Sequence, residues 1–245
     1  MAIEQFNLVL QSVKQLAPNT KHFSFTREDG KELAYIPGQF ITFTFDGVDG
    51  KPKRRSYSIA SIPDQTSTIE LAVSYVENGV ASEYLFNTMK PGDKLPAMGP
   101  AGRLILQDEP VSRYILMATG TGVAPYRCML PQLAERLKRN DFTVELLFGV
   151  RYKKDLFYAE DFIEFAKHHP NFHFHAYLSR EDGDLAAHEK KGYIQHALDN
   201  LSLQPGSDVV YLCGNPNMID EVFQKLIAIG FATKDIRREK YISSN

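Results

Sequence analysis

A small antiparallel β-barrel followed by a doubly wound, mostly parallel α/β sheet is the fold this sequence predicts. Three observations predict it. In roughly the first hundred residues, short stretches alternate apolar with polar or small side chains, the period of a half-buried strand. From Arg113 onward, short apolar runs alternate with segments of helical spacing, the rhythm of a parallel sheet. Between the first such run and its helix lies "ATGTGVAPYR", a glycine-rich strand-to-helix junction.

In the first half, "HFSFT", "FITFTF" and "IELAVSY" are the clearest strands, and "RRSYS" (54–58) continues the pattern with charge. Pro37-Gly38, Gly47, Gly50, Pro63, Pro91-Gly92 and Gly99-Pro100 punctuate the gaps as turns. A short helix is expected at about Ser82 to Met89. In the second half the strands are "RYILMA", "FTVELLFGV", "FHFHAYL" and "DVVYLCG". Helices are expected over "APYRCMLPQLAERLKRN", "AEDFIEFAKHH", "YIQHALDNL" and "PNMIDEVFQKLIAIG". The polar stretch "QDEPVS", with Pro110, marks the boundary between domains of 1–107 and 113–245.

Composition narrows the class. The 245 residues are 43% apolar and 24% charged, as in a soluble globular chain. A net charge of −2 argues against nucleic acid as a general partner. No apolar run approaches the roughly 18 residues that span a bilayer, and the N-terminus lacks the apolar core of a signal peptide. The two cysteines, Cys128 and Cys213, are too few for a disulfide framework or a four-thiolate iron–sulfur site. The expected setting is cytoplasmic, with redox chemistry carried by an organic cofactor or a separate protein. His173 and His175 share a strand face without a third ligand, so no metal site is expected. His168-His169 before Pro170 reads as a helix end, where imidazolium suits the dipole.

The junction after the first parallel strand suits a dinucleotide. Gly120 and Gly122 allow a sharp turn and close approach to a phosphate, and Pro125 suits the first turn of the helix. Pro125 stands where the usual fingerprint has its third glycine. About 20 residues on, NAD binding would call for a ribose-binding acid. Instead "GVRYKK" supplies Arg151, Lys153 and Lys154, and "LSREDGD" supplies Arg180. Basic strand ends suit the extra phosphate of NADP. Gly214 and Pro216 mark another turn into a helix, with Cys213 facing the same crevice as Gly120.

The first half carries a second candidate site. Arg55 and Tyr57 lie two apart and share a strand face, where a guanidinium can pair a phosphate and a ring can stack on a flat aromatic system. In "ENGVASEYLF", Gly79, Ser82 as N-cap and Glu83 read as a helix start that could take a second phosphate-bearing group.

Together these residues resemble the ferredoxin–NADP⁺ reductase family. "RSYS" is similar to its Arg-x-Tyr-Ser motif, "GVAS" to its Gly-x-x-Ser motif, and "GTGVAP" and "CGNPNM" to its two nucleotide-side loops. "PGQF", "KPGD" and "MGPAG" are family-like turns in the expected order. The resemblance covers nearly the whole chain.

It implies an FAD-binding barrel and an NADP-binding α/β domain, with hydride passing between NADPH and FAD and single electrons exchanged with ferredoxin or flavodoxin. Arg55 and the Gly79-Val80-Ala81-Ser82 turn would hold the FAD pyrophosphate. Tyr57 would stack on the isoalloxazine, Ser58 would reach its reactive nitrogen, and Val73 and Tyr75 would contact FAD through their backbone. Gly120, Thr121, Gly122 and Pro125 would lie under the NADP pyrophosphate, with Gly214 and Met218 in the second loop. Ser179, Arg180 and Lys191, with Arg151 near, would hold the 2′-phosphate, and Tyr193 and Gln195 the adenine. Cys213 would sit beside the nicotinamide, and Glu239 with Ser58 would influence flavin protonation.

One departure is the ending "REKYISSN". Glu239 and Tyr241 fit a Glu-x-Tyr ending, but four residues follow, so either Tyr241 or the tail covers the flavin. "KPKRR" could steer an acidic carrier through Lys51, Lys53 and Arg54. The expected form is a monomer. The alternatives are the reductase component of an oxygenase chain, or a non-catalytic flavin-binding regulatory protein.

Overall fold

The computed structural model describes residues 3–47, 50–63, 68–108 and 111–241. Contacts divide it into two units. One runs to Leu106 and also takes Ala124–Met129; the other comprises Gln107–Val123 and the chain from Leu130. Pro110, part of the expected boundary, lies outside the described residues.

The first unit is a six-stranded antiparallel sheet in the order β4-β3-β6-β1-β2-β5. Its strands are β1 (Glu4–Ala17), β2 (Thr20–Arg27), β3 (Phe40–Asp46), β4 (Pro52–Ser58), β5 (Ile69–Ser74) and β6 (Lys94–Ala101). A bridge from Ile59 to Leu71 brings the end of β4 onto β5 and closes the sheet on itself. Leu8, Phe23, Phe25, Ile41 and Phe43 are fully buried inside it. Each such side chain contributes about 2 kcal/mol by leaving water. Phe25 lies 5.3 Å from Phe43, and Phe43 lies 5.9 Å from Tyr57, so an aromatic row runs from the core out to β4.

Two strands depart from expectation. β1 is long, but most of its side chains are exposed, so it lacks a clean alternation. Met98, Gly99, Pro100 and Ala101 of "MGPAG", expected as a turn, belong to β6, an interior strand. Gly99 pairs with Glu4 on the β1 side, while on the β3 side the register shifts between Phe40 and Thr42 and passes over both Gly99 and Pro100. The expected short helix is α1 (Val80–Glu83), continued by a single π-helical turn over Tyr84–Thr88.

Ala124–Met129 complete this unit. Cys128 is part of the barrel core, and burial pushes its thiol up to about 12, so it is neutral. Arg127 donates to the Ala60 carbonyl at 2.6 Å and to Glu70 at 2.8 Å. Burial opposes ionisation of Glu70. Hydrogen bonds from His22 and Arg127 outweigh it and hold the carboxyl below its ordinary range.

The second unit is a six-stranded parallel sheet in the order β10-β9-β8-β7-β11-β12. The four expected strands are β7 (Arg113–Thr119), β8 (Thr143–Val150), β9 (Phe172–Leu178) and β11 (Asp208–Gly214). Two edge strands were not expected, β10 (Glu189–Lys191) and β12 (Ile236–Lys240). The helix expected after the glycine loop is broken into α2 (Ala124–Cys128) and α3 (Leu130–Arg136). Pro131 has no N–H to give the Arg127 carbonyl, so the helix cannot run through.

α4 (Ala159–His168) and α5 (Pro216–Ala228) form as expected, while Ile194–Asn200 is 3₁₀ rather than α. At the end of α4, His168 meets Glu164 at 3.1 Å. His169 packs against Phe165 with ring centroids 4.1 Å apart, and burial, with some repulsion from His168, lowers its pKa. Val210, Leu212, Ile219 and Val222 bury the face between sheet and α5. Strand order reverses at β7: the chain moves outward through β8, β9 and β10, then returns to lay β11 on the other side of β7. In such sheets the ligand crevice lies beyond the strand ends at that reversal.

Candidate cofactor sites

On the barrel, register decides which way the β4 side chains point. Arg55 lies opposite Phe43 and Tyr57 opposite Ile41, so both side chains share the face of the apolar core. Both are half-buried, whereas Arg54 and Ser56 are exposed on the other face, where Ser56 meets Thr42 at 2.9 Å. Burial pushes the Tyr57 phenol well above its ordinary range, so the ring is neutral. A guanidinium, an uncharged aromatic ring and an apolar floor on one half-buried face fit a ligand that is both anionic and aromatic. Lys53 lies on this face too, opposite Phe45. Lys53 and Arg54 therefore point apart, and "KPKRR" does not present them on one surface.

Beside β4, α1 begins at Val80. Ser82 was expected as the N-cap; Gly79 holds that position instead. Ser82 is 4% exposed, donates to the Val76 carbonyl at 2.7 Å and accepts from the Val76 N–H at 3.1 Å. The hydroxyl thus latches the turn that leads into the helix. A Cβ on Gly79 would come within 2.9 Å of the Ser82 Oγ and 3.0 Å of the Val76 carbonyl oxygen, so the latch requires glycine there. Val80 and Ala81 form the first helical residues.

Val73 points into the core and pairs through its backbone with Lys21. Tyr75 donates its backbone N–H to Asn19 at 2.8 Å and its phenol to Glu83, which also accepts from Asn87 at 2.7 Å. Glu83 was expected only as part of the helix start, and Asn87 was not expected to matter; their i, i+4 spacing was the available signal. Ser58 ends β4 and is 4% exposed.

In the second unit, two loops meet at the ends of β7 and β11. Residues Gly120–Val123 form a 3₁₀ turn, and Asn215 caps α5, accepting from the Asn217 N–H at 2.9 Å. The Asn215 N–H reaches Thr119 Oγ1 at 2.8 Å and ties the loops together. A Cβ on Gly122 would collide with the Cys213 carbonyl, and one on Gly214 with Thr119. Those glycines are required by loop-on-loop packing. Gly120 differs: its φ of +53° needs glycine, and the space its side chain would fill is open. Thr121 is half-buried beside it, and Pro125 is buried one residue into α2. Thr119 and Asn215 were missed by sequence reasoning, although Asn before Pro is a readable helix cap. Met218 lies in the core beneath α5.

Cys213 is 0% exposed. Burial first, then the Glu239 carboxylate, pushes its thiol well above the ordinary range, against a hydrogen bond from Tyr241. The group is a neutral thiol and not a nucleophile. Glu239 lies directly opposite Cys213 across the β11–β12 pair, and Tyr241 bonds through its N–H to Gly214 at 2.8 Å. The four residues after Tyr241 lie outside the described residues.

At the other edge, the ends of β8, β9 and β10 are tied by backbone bonds. Arg180 donates to Arg151 at 2.8 Å, and Gly192 donates to Leu178 at 3.0 Å. Arg151, Arg180 and Lys191 are all exposed there, with Ser179 half-buried among them. Lys153 is otherwise engaged. Its ammonium meets Glu189 at 2.9 Å and the Asp184 carbonyl at 2.9 Å, so it pins the loop. Tyr193 is exposed, and Gln195 donates to Glu221 at 3.0 Å. Among the described residues, no group of three or more His, Cys, Asp or Glu could hold a metal ion. No helix among them is long and apolar enough to cross a membrane.

The fold and sites define a flavoprotein oxidoreductase. Residues 7–105 match the oxidoreductase FAD-binding domain, and residues 116–224 match the oxidoreductase NAD-binding domain. Ferredoxin–NADP reductase B of Sorangium cellulosum is 32% identical over 97% of this chain and 98% of its own length. The toluate 1,2-dioxygenase electron transfer component of Pseudomonas putida is 29% identical over 98% of this chain and 68% of its own. A crystal structure of a ferredoxin NADP⁺ reductase from Neisseria gonorrhoeae, with FAD and NADP bound, is 25% identical. It covers 96% of this chain and 98% of its own with a TM-score of 0.81. The chain belongs to the ferredoxin–NADP⁺ reductase family. It is a reductase that moves electrons from a reduced pyridine nucleotide through FAD.

Proposed function

We propose that the nucleotide is NADPH and the electron acceptor is a small acidic carrier, ferredoxin or flavodoxin, with residues 1–107 serving FAD and 113–245 serving NADP. FAD supplies the redox chemistry when bound, taking electrons in pairs and releasing them singly. The observation that carries the flavin side is the shared inner face of Arg55 and Tyr57 on β4. There Arg55 pairs the pyrophosphate, Tyr57 covers the ring, and the Ser82 latch shapes the turn that Gly79, Val80 and Ala81 present to the phosphates.

On the nucleotide side, Gly120 and Thr121 offer backbone to the pyrophosphate. Neutral Cys213 bounds the nicotinamide at the end of β11 without charging it. Ser58 and Glu239 are the groups that hold or move a proton. Arg151, Ser179, Arg180 and Lys191 take the 2′-phosphate, and Tyr193 and Gln195 the adenine. The exposed basic rim at the ends of β8, β9 and β10 supports NADPH over NADH.

A second reading has support of its own. The Pseudomonas putida relative is an electron transfer component of a dioxygenase, and a chain like this one could serve such a system. Reduction of ferredoxins and flavodoxins by NADPH, compared with an oxygenase ferredoxin partner, separates the two. The first reading expects turnover with free carriers. Turnover with the oxygenase partner alone would favour the second.

A further inference from the structure

The rim proposed to take the 2′-phosphate contains a carboxylate. The loop after Arg180 reads Glu-Asp-Gly-Asp. Glu181 is turned away from the rim, accepting the N–H groups of Lys153 at 2.9 Å and Gly183 at 3.3 Å. The Asp184 carbonyl takes the Lys153 ammonium. Asp182 instead points back and meets Lys191 Nζ at 2.6 Å. Both side chains are open to solvent, Lys191 at 62% and Asp182 at 88% exposure, so their pairing does not hold up the fold.

We propose that Asp182 sets the pyridine-nucleotide preference of this reductase, competing with the 2′-phosphate of NADPH for Lys191 and so narrowing discrimination against NADH. This rests on reading Ser179, Arg180 and Lys191 as the 2′-phosphate site. A phosphate dianion arriving at Lys191 must displace the Asp182 carboxylate or lie beside a like charge. NADH has no such group and meets no penalty. Asp182 is thus a brake on specificity built into the loop that also supplies Arg180.

The test is the ratio of kcat/KM for NADPH to that for NADH in Asp182→Asn and Lys191→Ala, at low salt. Asp182→Asn should raise the ratio about two- to fivefold, the range expected for one exposed charge pair. The rise should come from a lower KM for NADPH, and 2′-phosphoadenosine nucleotide should inhibit more strongly. Lys191→Ala should lower the ratio. If Lys191→Ala lowers the ratio and Asp182→Asn leaves it unmoved or lowers it, Asp182 is not the determinant, although the phosphate site stands. If Lys191→Ala leaves the ratio unmoved, the site reading fails and takes the proposal with it.

Discussion

Arg55 and Tyr57 show how far single residues could be read. Their spacing of two put them on one face, and the register with Phe43 and Ile41 makes that face the inner one. Ser82 was misread as the helix N-cap because a sequence shows that a side chain can bond but not where its bond is already used. Its hydroxyl is taken by Val76, and the Lys153 ammonium by Glu189. Replacing Arg55 and Tyr57 together by alanine should abolish tight FAD binding, and a purified double variant that stays yellow would contradict the assignment.

The two loop glycines make a second residue-scale case. Gly122→Ala drives a Cβ into the Cys213 backbone and should cost about 3 kcal/mol, the upper range for overpacking. Gly120→Ala meets open space and carries only the strain of positive φ, about 1 kcal/mol. Chemical denaturation of the two variants would rank them, and the reverse order would contradict this account of the loop.

At the scale of elements, legibility followed hydrophobic contrast. β7, β8, β9 and β11 are apolar runs bounded by polar turns, and the sequence showed each of them. β12 reads "IRREK", with only Ile236 buried, and β10 is three residues long, so neither carries a pattern. β6 hid behind Pro96, Gly99 and Pro100, residues that ordinarily mark turns. The start of β1 is fastened by charge as well as packing. Arg27, with a side chain 3% exposed, meets Glu4 at 2.8 Å and Asp29 at 2.6 Å and lies over Phe6.

Hydrogen bonds from Arg27 depress both carboxylates, Asp29 from 3.8 to about 2 and Glu4 below 4.5. Because the folded values are lower, the stabilisation is complete above the unfolded values and is lost as pH falls toward about 2. Arg27→Met keeps the buried stem but removes the charge. Its stability should therefore fall less steeply than that of the parent between pH 4.5 and about 2. Parallel acid-denaturation curves would show that the cluster contributes nothing to the pH dependence.

For the whole molecule, two rhythms in one chain announced two units, and the ordered motifs announced the family. Contacts add what motif order could not. Ala124–Met129 follow the nucleotide loop directly in sequence, yet Cys128 and Arg127 serve the barrel core and Glu70. Sequence adjacency gave no hint of this, because the helical spacing of residues 124–140 reads as one helix on one domain. The net charge of −2 leaves no overall field to attract an acidic carrier, so any steering must be local.

The central claim is that NADPH delivers electrons to FAD on this chain and that a one-electron carrier takes them away. Anaerobic rapid mixing of the yellow protein with NADPH, followed by oxidised ferredoxin or flavodoxin, tests it most directly. The account predicts that NADPH bleaches the flavin absorption and that the carrier restores it as it becomes reduced. Flavin that stays oxidised in NADPH, or bleached flavin that no carrier can reoxidise, would contradict it.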